Sequence, residues 1–169
     1  MFARCAFVGL IAAALVLSVA SAQDTAKDVD KIPKKVMDAL KAKFPKAVIH
    51  KWTQEKEGDD VIYDIEFKEN GRACEADIKE DGTFINFEKA IEAKDVPKAV
   101  GVAIEKKYPR ATWKEIMEET EVKGNKEELS AYEVVLVTAD KKTVELRLSP
   151  EGKILEEAVL GDKKLDEKK

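Results

Sequence analysis

Five carboxylates in this chain stand at spacings that could gather them on one side of a β-sheet: Asp64, Glu66, Glu75, Asp77 and Glu88. Between them lie Tyr63, Ile65, Phe67, Cys74, Ala76 and Phe87, an alternation of apolar and polar residues that predicts strands with one buried face. Asn70-Gly71 is the residue pair favoured in a two-residue hairpin turn. A hairpin closed there sets Glu66 opposite Glu75 and Asp64 opposite Asp77, and a second turn at Asp81-Gly82 brings Glu88 beside Glu75. Like charges placed directly across a sheet destabilise it. Two readings follow. Lys68 and Lys79 flank the row and could neutralise it as an ordinary solvated face, or the row attracts a cation or a basic protein. Calcium takes six to eight oxygen ligands, which a flat sheet rarely supplies, so a basic protein is the better fit.

The rest of the chain offers little chemistry. The sequence has one histidine and two cysteines among 169 residues, too few for a conventional zinc site or a histidine-dependent triad. His50 has no second histidine to work with and reads as a plain surface residue. Cys74 falls on the apolar side of its strand and reads as a buried, inert thiol. Ser130 and Ser149 lie near strand ends without a nucleophile-elbow context, and the eight glycines form no phosphate-cradling loop. No catalytic residue, metal ligand or cofactor site is predicted. Tyr63 and Tyr132 read as rings filling the space between sheet and helix. Trp52 and Trp113 do not occupy matching positions, and tryptophan is enriched in binding hot spots, so both are candidates for a contact surface. A net charge of −4 argues against nucleic-acid binding, which needs a basic face to displace counterions.

The elements that must position these residues come in two matched sets. Ile32, Val36, Leu40 and Phe44 recur every four residues, and Val96, Val100, Ile104 and Tyr108 do the same 64 positions later, each set on one helix face. Both begin with an aliphatic-Pro pair, placing proline in the first helical position, and both end with an aromatic-Pro pair, where proline disfavours helix in the residue before it. Seven of sixteen positions are identical between residues 32–47 and 96–111, which indicates an internal duplication. Each helix is followed by about four strand-like segments, beginning at 47–54 and 111–118. In the second set, a turn near Ala139-Asp140-Lys141 places Glu133 opposite Arg147 and Val135 opposite Glu145, so the acidic row is particular to the first set.

Residues 1–22 carry an early arginine, a 15-residue uncharged apolar run from Cys5 to Val19, and the small-x-small sequence Ala20-Ser21-Ala22. This is the three-part pattern of a secretory signal peptide, and the run is short for a membrane span. It predicts export to the periplasm or beyond, with no stable membrane anchor once the leader is removed. The remaining organisation is a first unit over 23–93, a second over 94–160 and a charged, disordered tail over 161–169.

The order aliphatic-Pro, helix, aromatic-Pro, strand, Tyr-x-aliphatic, hairpin, acidic-Gly-x-aliphatic resembles the PepSY-like, or beta-lactamase-inhibitor-like, family of exported bacterial proteins. The resemblance is carried by Pro97, Tyr108-Pro109, Tyr132-Glu133-Val134, Glu145 and Glu151-Gly152-Lys153-Ile154-Leu155 in the second set. Pro33, Phe44-Pro45, Tyr63-Asp64-Ile65 and Asp81-Gly82-Thr83-Phe84 carry it in the first. It implies an α+β fold made as a tandem duplication, each unit one helix packed on a roughly four-stranded antiparallel sheet. It implies an envelope or secreted location and no enzymatic activity. The function expected from all of these features is a non-enzymatic exported protein-binding module, inhibitor-like in one form, with an envelope or secreted protein as partner. The alternatives are a structural or stress-related envelope protein without a specific ligand, or a weak cation binder acting through the acidic sheet face.

Overall fold

A computed structural model describes residues 28–160 of the chain. The leader expected over residues 1–22 and the tail expected over 161–169 lie outside the described residues.

Helix α1 (Lys34–Lys43) is followed by strands β1 (Val48–Glu57), β2 (Asp60–Glu69), β3 (Arg72–Lys79) and β4 (Phe84–Ala90). Helix α2 (Lys98–Lys107) is followed by β5 (Thr112–Lys123), β6 (Lys126–Val137), β7 (Thr143–Leu148) and β8 (Ile154–Val159). The protein is therefore α+β, with two helices and an antiparallel sheet whose strands follow chain order from β1 to β8. The chain forms two compact units. One contains residues 28–91 together with Met117–Ser130, and the other contains Glu92–Ile116 together with residues 131–160. Strands β5 and β6 thus contribute residues to both.

The helices form where the four-residue apolar spacing predicts, with one adjustment. Pro33 and Pro97 are the N-caps, just outside the first turn, at φ of −55° and −56°. The helices end at Phe44 and Tyr108, whose backbone N–H groups donate to the carbonyls of Leu40 and Ile104 at 2.7 Å. The following proline cannot continue the helix. In the first unit Val36, Leu40 and Phe44 pack on Ile65, Phe67, Ala76 and Ile78 from the inner face of the sheet. Phe44 meets Phe67 with ring centroids 4.9 Å apart and Phe87 at 5.6 Å. Each large side chain so buried stabilises the fold by about 1.5–3 kcal/mol relative to exposure. In the second unit Val100 and Ile104 are buried, as are Tyr132, Val134, Leu136, Val144, Leu146 and Leu148.

Two glycines set the approach of helix to hairpin. Gly82 has φ of +92°, and a Cβ there would stand 2.9 Å from the Lys35 carbonyl oxygen of α1. Gly152 has φ of +82°, and its Cβ would stand 2.4 Å from the Ala99 carbonyl oxygen of α2. Only glycine accepts both the left-handed backbone and the missing space.

Hairpin register follows the turns. Asn70 and Gly71 both have positive φ, the geometry of a type I′ turn, and they fix the β2–β3 pairing. The first strands run longer than their predicted segments, because β1 extends to Glu57 and β5 to Lys123. β1 also carries an irregularity between Ile49 and Lys51, at His50. His50 is half-buried at this bulge, a correction to the plain surface position expected for it.

Candidate functional site

The first unit presents two rows of carboxylates on the side of its sheet away from α1. Asp64 lies opposite Asp77 and Glu66 opposite Glu75. Glu75 lies opposite Glu88. The Asn70-Gly71 turn dictates the first two pairings, whereas Glu75 meets Glu88 after a one-residue slip of β3 on β4 between Asp77 and Ile78. Strand β5 lengthens both rows, since Glu88 pairs with Glu119 and Asn86 with Glu121. One row therefore reads Lys51–Glu66–Glu75–Glu88–Glu119 and the other Thr53–Asp64–Asp77–Asn86–Glu121. Glu119 and Glu121 escape a reading of the sequence because β4 and β5 are separated by α2, and no turn gives a count from one strand to the other.

The face is not a freely solvated surface. Asp64, Glu66, Glu75, Asp77 and Glu88 are all half-buried, and Glu119 is only 7% exposed. Asp77 sits deepest of the paired aspartates. Burial, with the Asp64 charge opposite adding to it, pushes its carboxyl up to about 7 even though Asn86 donates a 3.0 Å hydrogen bond to Oδ2. Asp64 is raised as well, first by burial and then by Glu66, against the contrary pull of its contact with Glu75, the Lys51 charge and Thr53. The Thr53 hydroxyl donates to Asp64 Oδ2 at 3.4 Å, while Asp64 Oδ1 is buried with no hydrogen-bond partner.

Neutralisation comes from a different lysine than the sequence suggests. Lys51, the fourth residue of β1, forms an ion pair with Glu66, and this contact raises its own basicity. Lys79 instead pairs with Asp60 at 2.6 Å, off the end of the row, and Lys68 is exposed. Lys123 pairs with Glu121 at 2.9 Å. Lys51 escapes a sequence count because β1 is expected to end at residue 54, whereas it runs to Glu57 and the Gly58-Asp59 turn sets Lys51 opposite Glu66.

The two tryptophans lie elsewhere. Trp52 is on the helix side of β1, stacked on Tyr63 at 6.1 Å and packed against the first unit's core. Trp113 lies in the second unit, where its ring edge stands 3.8 Å from the place a Cβ on Gly101 of α2 would occupy. The structure thus brings the five carboxylates together and leaves Trp52 on the opposite side of the sheet from them. Tyr63 and Tyr132 are buried in the helix–sheet space as predicted. Cys74 is buried, and desolvation pushes its thiol above the ordinary range, which keeps it protonated and inert.

Among the described residues no group of three or more His, Cys, Asp or Glu side chains is arranged to hold a metal ion. No described helix is long and apolar enough to cross a membrane.

No family model matches the chain, and no curated protein matches it. Solved structures do. A BLIP-like protein from Bacteroides fragilis superposes with a TM-score of 0.53 at 21% identity, covering 78% of this chain and 90% of that one. A protein of Bacteroides eggerthii described as periplasmic gives 0.59 at 15% identity, covering 75% and 88%. A DUF2874 family protein of Bacteroides uniformis gives 0.58 at 18% identity, covering 76% and 89%. The fold is therefore one shared with BLIP-like and DUF2874 proteins of this genus.

Proposed function

We propose that this protein is a non-enzymatic, exported protein-binding module, built as two tandem PepSY-like units, that engages a basic partner through the acidic sheet face of its first unit. The observation that carries the reading is the cross-strand register. Carboxylate faces carboxylate at Asp64–Asp77, Glu66–Glu75, Glu75–Glu88 and Glu88–Glu119, an arrangement that costs stability and concentrates one sign of charge. Partial burial of these groups strengthens the field they project, because screening by water is reduced. The fold likeness to a BLIP-like protein and to one described as periplasmic supports a binding role outside the cytoplasm, as does the leader-like sequence of residues 1–22.

The test is an affinity capture from the envelope extract of the source organism, with residues 23–169 as bait. A second bait carries Glu66→Gln, Glu75→Gln and Glu88→Gln. A basic protein enriched by the natural bait and lost with the substituted one, then reproduced with that protein purified, supports the reading. The same partner on both baits moves the contact to the helix side, where Trp52 and Trp113 become the next substitutions. Nothing above background on either bait favours a structural envelope protein instead.

A further inference from the structure

The second unit's sheet hides a carboxylate on its outward side, away from α2. Glu145 of β7 is only 9% exposed, and its Oε2 is sealed from solvent with no hydrogen-bond partner among the described residues. Across the sheet it stands between Val135 of β6, equally buried, and Ala158 of β8, half-buried. Val137, two residues along β6 from Val135, extends this apolar surround. A buried oxygen left without a donor costs stability, the more so when it carries charge. The matching residue of the first unit, Glu75, is flanked by Glu66 and Glu88 in place of apolar walls.

The cation on the same face of β7 is engaged elsewhere, since Arg147 lies 3.4 Å from Glu156. Burial raises the Glu145 carboxyl above its ordinary range, and the charges of Glu156 and Glu115 raise it further. A metal ion is a poor match, because no group of three or more His, Cys, Asp or Glu among the described residues is arranged to hold one. A guanidinium binds a carboxylate best through both oxygens at once, and here one of them is sealed in. A primary ammonium is a compact charge that needs only one oxygen. Its alkyl stem suits the valine and alanine on either side. The torsion that turns a glutamate carboxylate is broad, so either oxygen can meet a guest that arrives at the surface.

We infer that Glu145, walled by Val135 and Ala158, is a binding site for an alkylammonium ion, the group at the end of a lysine side chain or of a small amine. The stem lies along the apolar row and the ammonium donates to the carboxylate. Hydrogen bonds between ionised partners are stronger than neutral ones, and partial burial reduces their screening by water. The ammonium must shed water to enter, so a single group binds in the millimolar range. The site belongs to the second unit and stands whether or not the acidic face of the first unit holds a basic partner.

The test is an NMR titration of the full chain at about pH 8 in low salt, where charge is least screened. The amide signals of Val135, Glu145 and Ala158 are followed while n-butylammonium, ammonium or butan-1-ol is added. The expected result is a saturable shift with n-butylammonium, binding of ammonium weaker by about tenfold for want of a stem, and no saturable shift with butan-1-ol. Glu145→Gln keeps the shape without the charge and should weaken n-butylammonium by about tenfold. Glu66→Gln, Glu75→Gln and Glu88→Gln combined should leave it unchanged. No saturable shift at these residues in the natural chain overturns the inference, and this result needs no variant. Equal binding by Glu145→Gln, or by butan-1-ol, overturns it too, and loss of the shift in the first-unit variant assigns the amine to the acidic face instead. Nα-acetyl-lysine N-methylamide then separates the two sources: binding as tight as n-butylammonium supports a partner's lysine side chain, and binding weaker by about tenfold supports a free amine.

Discussion

The two helix-and-four-strand sets can be laid on each other through their buried residues, and their outward faces then disagree. Tyr63, Ile65 and Phe67 match Tyr132, Val134 and Leu136, while Cys74, Ala76 and Ile78 match Val144, Leu146 and Leu148. All are buried. Between these matched positions the first set reads Asp64–Asp77–Asn86 across three strands, where the second reads Glu133–Arg147–Glu156. The next row reads Glu66–Glu75–Glu88 in the first set and Val135–Glu145–Ala158 in the second. The second set thus breaks up like charge with an arginine and apolar neighbours, and the first does not. The buried side is dictated by the need to cover a helix, whereas the outward side has no such requirement and is free to take up a role.

The helix C-termini differ in a similar way. Tyr108 donates its hydroxyl to Glu157 at 2.5 Å, and Lys107 pairs with the same carboxylate. These contacts hold Glu157 below its ordinary range and push Tyr108 up to about 12. Phe44, in the matching position, has no hydroxyl. Lys43 and Lys89 instead lie over the Phe87 ring, at 4.2 Å and 4.8 Å from its centroid, and Lys43 pairs with Glu127 of the β5–β6 hairpin.

These differences can be broken or sharpened one at a time. The largest effect is expected where the sets agree. Gly152→Ala forces a Cβ into the Ala99 carbonyl and should cost about 3 kcal/mol in denaturant unfolding, with Gly82→Ala costing less because its clash is milder. Arg147→Asp gives the second set the first set's charge pattern and should destabilise by about 2 kcal/mol, since it leaves Glu156 and Glu133 facing a new carboxylate. A smaller loss would mean that the arginine does not compensate its row.

Asp77→Asn acts in the opposite sense and only at high pH. The folded protein holds the Asp77 proton more tightly than the unfolded chain, so between about pH 4 and about pH 7 natural stability falls as pH rises. Asparagine has no proton to lose. The variant should unfold about 5 °C higher than the natural chain at pH 8, and the gap should close at pH 4. A gain of the same size at both pH values would trace it to packing.

Tyr108→Phe makes the second helix end like the first and should cost about 1 kcal/mol at pH 7, the worth of one hydrogen bond to a charged group on a partly exposed surface. Glu75→Lys should give the smallest change, a gain of about 0.5 kcal/mol at pH 8, by placing a cation between Glu66 and Glu88. Thermal melts that place Glu75→Lys below the natural protein would contradict repulsion along that row.

Much of this contrast was legible in the residues. Asn70-Gly71 and Asp81-Gly82 are local signals, and counting from Asn70-Gly71 gives every carboxylate pair between β2 and β3, whereas the partners on β4 depend also on a slip between Asp77 and Ile78. The 64-residue spacing likewise exposes both helices, because each must repeat an apolar residue every turn. What could not be read depends on distance or irregularity. Glu119 joins the acidic row across a gap that contains all of α2, so its register is set by packing and not by a turn. Lys51 reaches Glu66 by the register of the two-residue turn at Gly58-Asp59, which becomes countable only once β1 is known to run on to Glu57. The depth at which Asp77 sits is a property of the assembled sheet, and nothing within a few residues of it announces a carboxyl displaced toward neutrality.

The glycines beneath the helices have one more consequence. At Gly82 and Gly152 each helix rests on the main chain of its own hairpin, with no side chain to serve as padding. Main chain does not switch rotamer, so at this end the height of the helix above the sheet behaves as a fixed clearance. The residues that fill the gap, Val36 and Leu40 in one unit and Val100 and Ile104 in the other, must match that clearance. An added methylene there cannot be absorbed by lifting the helix, and the strain must go sideways along the sheet.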